Sequence, residues 1–182
     1  MNIIILGPQG SGKGTQAALL VEKFGLQHFE AGKILRSIAD SDNKYAAAVK
    51  TAINSGNLVP DELVRLIAWD FITKHKNGGV IFDGYPRSVA QYEHLQDMLM
   101  KFGQRIDRVI DLEISKEETI KRLTKRGRED DTPEAIKKRL ELFWQQTNPV
   151  IERAKQEGVL LEIDGERPIE VIHQDINDQI NT

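Results

Sequence analysis

No cysteine occurs among the 182 residues, which excludes disulfides and thiolate-bound zinc and suits a cytosolic setting. Histidine is scarce as well: His28, His75, His94 and His173 lie far apart without ligand-like spacing and read as packing or surface residues. Long apolar runs are also missing. The opening Ile3–Leu6 is far too short for a signal peptide or a membrane span, and no charged leader precedes it. Net charge is only -3, so attraction to nucleic acid or acidic membranes through overall charge is not indicated. There is no low-complexity tract, linker or repeat.

What remains is the composition of a folded domain, 40% hydrophobic and 29% charged, with enough chain for one substantial core and too little for two full-sized domains. Residues 2–6 form an isoleucine-rich run that stops at Gly7, the pattern of a strand buried on both faces of a parallel sheet. After Lys13, Ala17, Leu20, Val21 and Phe24 recur at helical spacing and Gly25 closes the segment. Similar apolar runs return at Val80–Phe82, Val109–Leu112 and Val159–Ile163, with helical patterns between them. Strands alternating with helices predict an α/β fold, a central parallel sheet flanked by helices. Ser115 and Glu118 match a capping box for a helix running towards Arg126, and Thr132-Pro133 opens the next helix. The segment from about 30 to 60 is helical with breaks at Asp40–Asn43 and Gly56, which predicts a small helical insertion. Trp69 and Trp144 fall within helical patterns and are expected to bury area in the core.

The run Gly7-Pro8-Gln9-Gly10-Ser11-Gly12-Lys13-Gly14-Thr15 follows a predicted strand and opens a helix, the context that a phosphate-binding loop requires. Glycines let the backbone curl so that successive N–H groups point inward, the helix N-terminus adds positive potential, and Lys13 supplies a compact charge for the outer phosphates. One position departs from the general pattern. Gly14 follows Lys13, and the hydroxyl that usually ligates magnesium arrives only at Thr15.

The Gly-Lys-Gly-Thr ending resembles the loop of the adenylate kinases, a family of nucleoside monophosphate kinases. The resemblance continues through Gly32-Lys33-Ile34-Leu35-Arg36, Gly56-Asn57-Leu58-Val59-Pro60, Asp83-Gly84-Tyr85-Pro86-Arg87, Arg122 to Arg139, and Asp164-Gly165. It implies a P-loop fold with a monophosphate-binding insertion at about 30–60 and a very short lid at about 126–132, since only Gly127 separates Arg126 from Arg128. The reaction implied is reversible transfer of the ATP γ-phosphoryl group to AMP, giving two ADP.

Carried onto this sequence, the resemblance assigns ATP binding to Gly10, Ser11, Gly12, Lys13, Gly14, Thr15, Arg122 and Arg126, and to the loop Gly165–Arg167, whose backbone receives the adenine. It assigns AMP binding to Ala31, Gly32, Arg36, Asn57, Leu58, Val59, Gly84, Arg87, Gln91, Arg128 and Arg139. The catalytic set is Lys13, Arg87, Arg126, Arg128 and Arg139. Asp83, at the end of an apolar run, would hold Mg²⁺ through its waters, with no zinc expected. Asp130 and Asp131 match an acidic pair that orients the lid arginines, or serve the next helix dipole. An ionised phosphate needs no general base, so positioning and electrostatics carry the reaction.

The acceptor rests on Gln91, which matches a glutamine that reads adenine. Two positions point elsewhere: Ala31 stands where adenylate kinases usually have threonine and UMP/CMP kinases often have alanine, and Lys33 replaces a usual acid. A UMP/CMP kinase is therefore the alternative reading, and a non-catalytic nucleotide-binding regulator a more distant one. A monomer without nucleic-acid or membrane partners is expected.

Overall fold

In a computed structural model, which describes residues 1–128 and 130–180, the isoleucine run forms the central strand of a five-stranded sheet. The strands are β1 (Ile3–Leu6), β2 (Gln27–Glu30), β3 (Val80–Asp83), β4 (Arg108–Glu113) and β5 (Leu160–Asp164), in the order β2-β3-β1-β4-β5. Every pairing is parallel, with Ile4 opposite Phe82 on one side and Val109 on the other. All four residues of β1 are buried, as a strand covered by helices on both faces must be. The two faces carry separate apolar clusters. Ile4, Leu6 and Val109 pack with Tyr85, Tyr92 and Leu95 on one side, while Ile3, Ile5 and Ile110 meet Ala17, Leu20 and Ile176 on the other.

The covering helices are α1 (Lys13–Phe24), α4 (Asp61–Lys74), α5 (Val89–Met100), α6 (Lys116–Arg126), α7 (Pro133–Leu142), α8 (Asn148–Gln156) and α9 (Ile169–Ile180). Two shorter helices, α2 (Ala31–Ala39) and α3 (Ala46–Asn54), fill the stretch read as a helical insertion. A five-residue π-helical segment, Phe143–Thr147, joins α7 to α8. No helix among the described residues is long and apolar enough to cross a membrane.

The α/β architecture agrees with the sequence reading, and three details correct it. The periodicity singled out four strands; the fifth, β2, reads Gln-His-Phe-Glu and lies at the sheet edge with only Phe29 buried, so it lacks an apolar run. The capping box is only half formed. Ser115 Oγ accepts from the Glu118 N–H, but the Glu118 carboxylate is drawn to Arg122 and Lys121, and Glu166 accepts the Ser115 N–H instead. Trp69 stacks on Phe102, whereas Trp144 is 59% exposed because the π-helical segment turns it outward.

The strand order reverses at β1, whose neighbours β3 and β4 lead to opposite edges. A crevice forms beyond the carboxyl ends of the strands at such a switch point. The loops after β1, β3, β4 and β5 all meet there.

Candidate active site

The loop Gly7–Gly12 leaves β1 and delivers α1, with Gly12 in the left-handed region at φ 95. Such a conformation favours glycine and points the first turn of α1 towards the crevice. Lys13 Nζ donates to the carbonyls of Gly7 and Pro8, both at 2.8 Å, and to Ser11 Oγ at 3.4 Å. Burial brings its pKa down to about 8; Arg87 and Arg126 push the same way, while Asp83 and Asp111 oppose them. A lysine held against its own loop by carbonyls can exchange them for phosphate oxygens.

A cleft of about 590 Å³ opens over this loop. Gly10, Gly12, Lys13, Gly14 and Thr15 form its floor, and Asp83, Gly84 and Arg87 enter from the end of β3. Arg122, Arg126, Arg128 and Arg139 close it from α6, α7 and the turn between them. Gly32 and Arg36 border it from α2, and Leu58 from the segment between α3 and α4. A second chamber of about 70 Å³ adjoins and shares Gly32, Arg36, Leu58, Gly84, Arg87 and Arg139 with the first. Ala31, Asn57, Val59 and Gln91 line this one alone.

Among the residues assigned to nucleotide binding, Ser11 and the loop Gly165–Arg167 line neither chamber. Ser11 is buried within the loop beneath Lys13. Arg167 turns away to pair with Asp164 and, at 2.5 Å, with Asp175. The neighbouring Gly165 does approach the loop: a Cβ there would lie 3.3 Å from the Ser11 carbonyl. Its own carbonyl accepts from Arg122 Nη1 at 3.0 Å. Lys33 is exposed on α2 and lines neither chamber.

The arginines are held by few acids. Arg126 makes a bidentate pair with Asp131, 2.9 Å from Nε to Oδ2 and 2.7 Å from Nη2 to Oδ1. Arg139 reaches Asp130 at 2.6 Å, Asp131 at 3.2 Å and the Ile53 carbonyl of α3 at 2.8 Å. Asp130 and Asp131 thus hold arginines side by side. Burial, followed by the Arg139 charge, lowers the Arg87 pKa from its ordinary value. Arg128 is lowered by burial and then by Arg126 and Arg36. Cations crowded until each opposes its neighbour's charge make a site that an anion relieves.

Among the described residues no three His, Asp or Glu side chains converge to hold a bare metal ion. Asp83 Oδ2 lies 3.5 Å from where a Gly14 Cβ would sit, and Glu30, its register partner on β2, lines the same cleft. The Asp83 carboxylate, beside the phosphate loop, fits a hydrated Mg²⁺ arriving with nucleotide phosphates, because Mg²⁺ keeps several waters in such sites. Glycine at 14 leaves the approach to that carboxylate open.

Sequence reasoning missed several neighbours of the site. His28 lies 3.8 Å from Asp83 through Nε2, on the strand that was not recognised. Thr147 Oγ1 donates to the Arg87 carbonyl at 3.1 Å from the π-helical segment, which no side-chain pattern announced. Gln9 touches Arg139, and Asp61 bonds Gln91. Asp61 stands in the first turn of α4, outside every motif that the sequence offered.

A parallel sheet whose first strand runs into a lysine-bearing phosphate loop under a vault of arginines defines a P-loop protein of the phosphoryl-transfer class. The adenylate kinase family profile matches residues 5–159. An adenylate kinase of Phocaeicola vulgatus is 42% identical over 97% of this chain and 96% of its own length. One from Bacteroides fragilis is 42% identical over 100% and 99%. One from Synechococcus sp. is 38% identical over 93% of each. The chain belongs to the adenylate kinase family.

Proposed function

We propose that this chain transfers the γ-phosphoryl group of ATP reversibly to AMP, giving two ADP. The observation that carries the reading is the convergence of Lys13, Arg36, Arg87, Arg126, Arg128 and Arg139 on two joined chambers. Two nucleotides of high negative charge meeting head to head need that density of cations.

The larger chamber takes the donor, with Gly10 to Thr15 cradling its phosphates. Arg122, clamped by Glu118 and the Gly165 carbonyl, lies against its adenine, and the backbone of Gly165 to Arg167 borders the base. Arg36 and Arg87 grip the acceptor phosphate, for which the guanidinium fork is suited. Arg126, Arg128 and Arg139 surround the transferring group, and Asp130 and Asp131 preset two of them. Asp83 would hold Mg²⁺ through water, and the ion would neutralise charge on the donor phosphates when bound. At about 70 Å³ the acceptor chamber is smaller than ligand pockets usually are, roughly 300–1,000 Å³. Acceptor entry therefore goes with outward movement of α2 and α3 from α7, where Gly56 meets the Ala135 backbone. Residues 126–132 act as the lid and exclude water as it closes. The protein works as a cytoplasmic monomer.

One observation favours a second reading. Ala31 offers the acceptor chamber no hydrogen-bonding side chain, which leaves Gln91 as the base reader and keeps a UMP/CMP kinase in play. Initial rates of ADP formation from ATP and Mg²⁺ with AMP, UMP, CMP or GMP separate the two; preference for a pyrimidine acceptor would reject the AMP reading.

A further inference from the structure

The side-chain amide of Gln91 is engaged at both ends. Its Oε1 accepts from the Arg87 N–H at 2.7 Å, and its Nε2 donates to Asp61 Oδ1 at 2.6 Å. Its backbone is fixed as well, the N–H by Ser88 Oγ and the carbonyl by the Tyr85 hydroxyl. Gln91 is 4% exposed and borders the acceptor chamber. Arg87, Arg36 and Gly84 line the same space, so base reader and phosphate grip share one hydrogen-bonded unit.

An amide can be turned end for end, and only its partners decide which way it lies. Here a turned Gln91 would set its NH₂ against the Arg87 N–H and its carbonyl against the Asp61 carboxylate, a donor facing a donor and an acceptor facing an acceptor. The bond to Asp61 is short and charge-assisted, the stronger kind. No ion pair engages Asp61 among the described residues. It stands in the first turn of α4, held in place by that helix, and its bond with Gln91 spans two elements far apart in sequence.

We infer that Asp61 is a specificity-positioning residue: it locks the Gln91 amide so that the site accepts a base bearing an amino group beside an unprotonated ring nitrogen and refuses the 6-oxo purine. The inference rests on the reading that the acceptor base lies against Gln91. With both outer bonds made, Gln91 retains one Oε1 lone pair and one Nε2 hydrogen. Adenine meets that pair with its N6 amino group as donor and N1 as acceptor. Hypoxanthine presents O6 as acceptor and N1–H as donor, and is matched only by the turned amide. A base anchored through its phosphate by Arg36 and Arg87 cannot reverse its edge to compensate. Asp61 touches no substrate in this arrangement and acts through Gln91.

The test compares AMP with IMP as acceptors for ATP and Mg²⁺, using the full chain and the variants Asp61→Ala, Asp61→Asn and Gln91→Leu. IMP differs from AMP only at the edge in question. In Gln91→Leu the AMP-to-IMP ratio of kcat/KM should collapse. In Asp61→Ala the ratio should fall about tenfold, the loss expected of one charge-assisted hydrogen bond, mainly through KM. Asp61→Asn keeps an acceptor oxygen and should stay within about threefold of the wild-type ratio. If Asp61→Ala does not fold, Asp61→Ser, one bond shorter than aspartate, replaces it. A wild-type ratio in Asp61→Ala with a collapsed ratio in Gln91→Leu overturns the lock and spares the reading beneath it. Equal falls in Asp61→Ala and Asp61→Asn also overturn it, because both variants lose the helix-start charge. A wild-type ratio in Gln91→Leu removes the base from Gln91 and overturns both.

Discussion

Replacing Asp111 by asparagine should make the protein more stable at neutral pH, and the gain should depend on pH in a defined way. Asp111 lies on β4 between Leu6 of β1 and Glu162 of β5. It is 6% exposed, and its Oδ1 has no hydrogen-bond partner. Burial pushes its pKa up to about 6 from 3.8; Glu113 and Glu162 add to the rise, while Lys13 offsets part of it. Between those values the folded protein keeps a proton that the unfolded chain releases, so stability is greatest below the unfolded pKa and falls as pH rises towards the folded one. A rise of about 2 units at 1.36 kcal/mol each gives about 3 kcal/mol of stability lost in all, most of it between pH 4 and 7. Asparagine carries no charge and escapes that loss. Urea unfolding of wild type and Asp111→Asn at pH 4 and at pH 7 gives two stability differences, and the second should exceed the first by about 2–3 kcal/mol. A difference that does not change with pH would mean that the carboxylate is solvated or paired in the folded state, and the argument from burial would be wrong.

Two further outcomes follow from the site. Arg126→Ala should lower kcat about 10³-fold or more while thermal unfolding stays cooperative, because Asp131 retains Arg139 as a partner; near-normal turnover would remove Arg126 from the transfer step. Lys13 titrates at about 8 in the free protein and meets phosphate as a cation, so kcat/KM for ATP should fall as pH rises through that value. Lys13→Arg, charged throughout, should show no such alkaline limb even if its rate is low, and an identical limb in that variant would assign the titration to another group.

The parts of the fold legible in the sequence are those set by local chemistry. Ile3–Leu6 is apolar at every position because both faces of β1 are covered, and the glycine turn before Lys13 follows from a strand running into a helix. β2 was not legible, since an edge strand exposes half its side chains and Gln27, His28 and Glu30 look like loop. The π-helical segment depends on how α7 meets α8 and leaves no periodic signature, so the helical pattern alone places Trp144 in the core. Glu118 sits at the right spacing for a capping box, but the competing Arg122 lies one helical turn away and the carboxylate goes to the cation. At the site, Lys13 follows from the spacing of the phosphate loop, whereas the arginines are named only by their resemblance to the adenylate kinase pattern, since each alone reads equally as a surface charge. The same resemblance names Gln91 but not its partners, because Asp61 lies thirty positions earlier and the two meet only when α4 packs on α5.

If two nucleotides meet in this arginine-lined cleft with AMP as the acceptor, kcat/KM for AMP, UMP, CMP and GMP with ATP and Mg²⁺ must differ sharply. Rapid formation of two ADP from ATP and AMP is expected, with the other acceptors slower by about 10²-fold or more. A faster reaction with UMP or CMP, or tight nucleotide binding without any ADP formed, would contradict that reading.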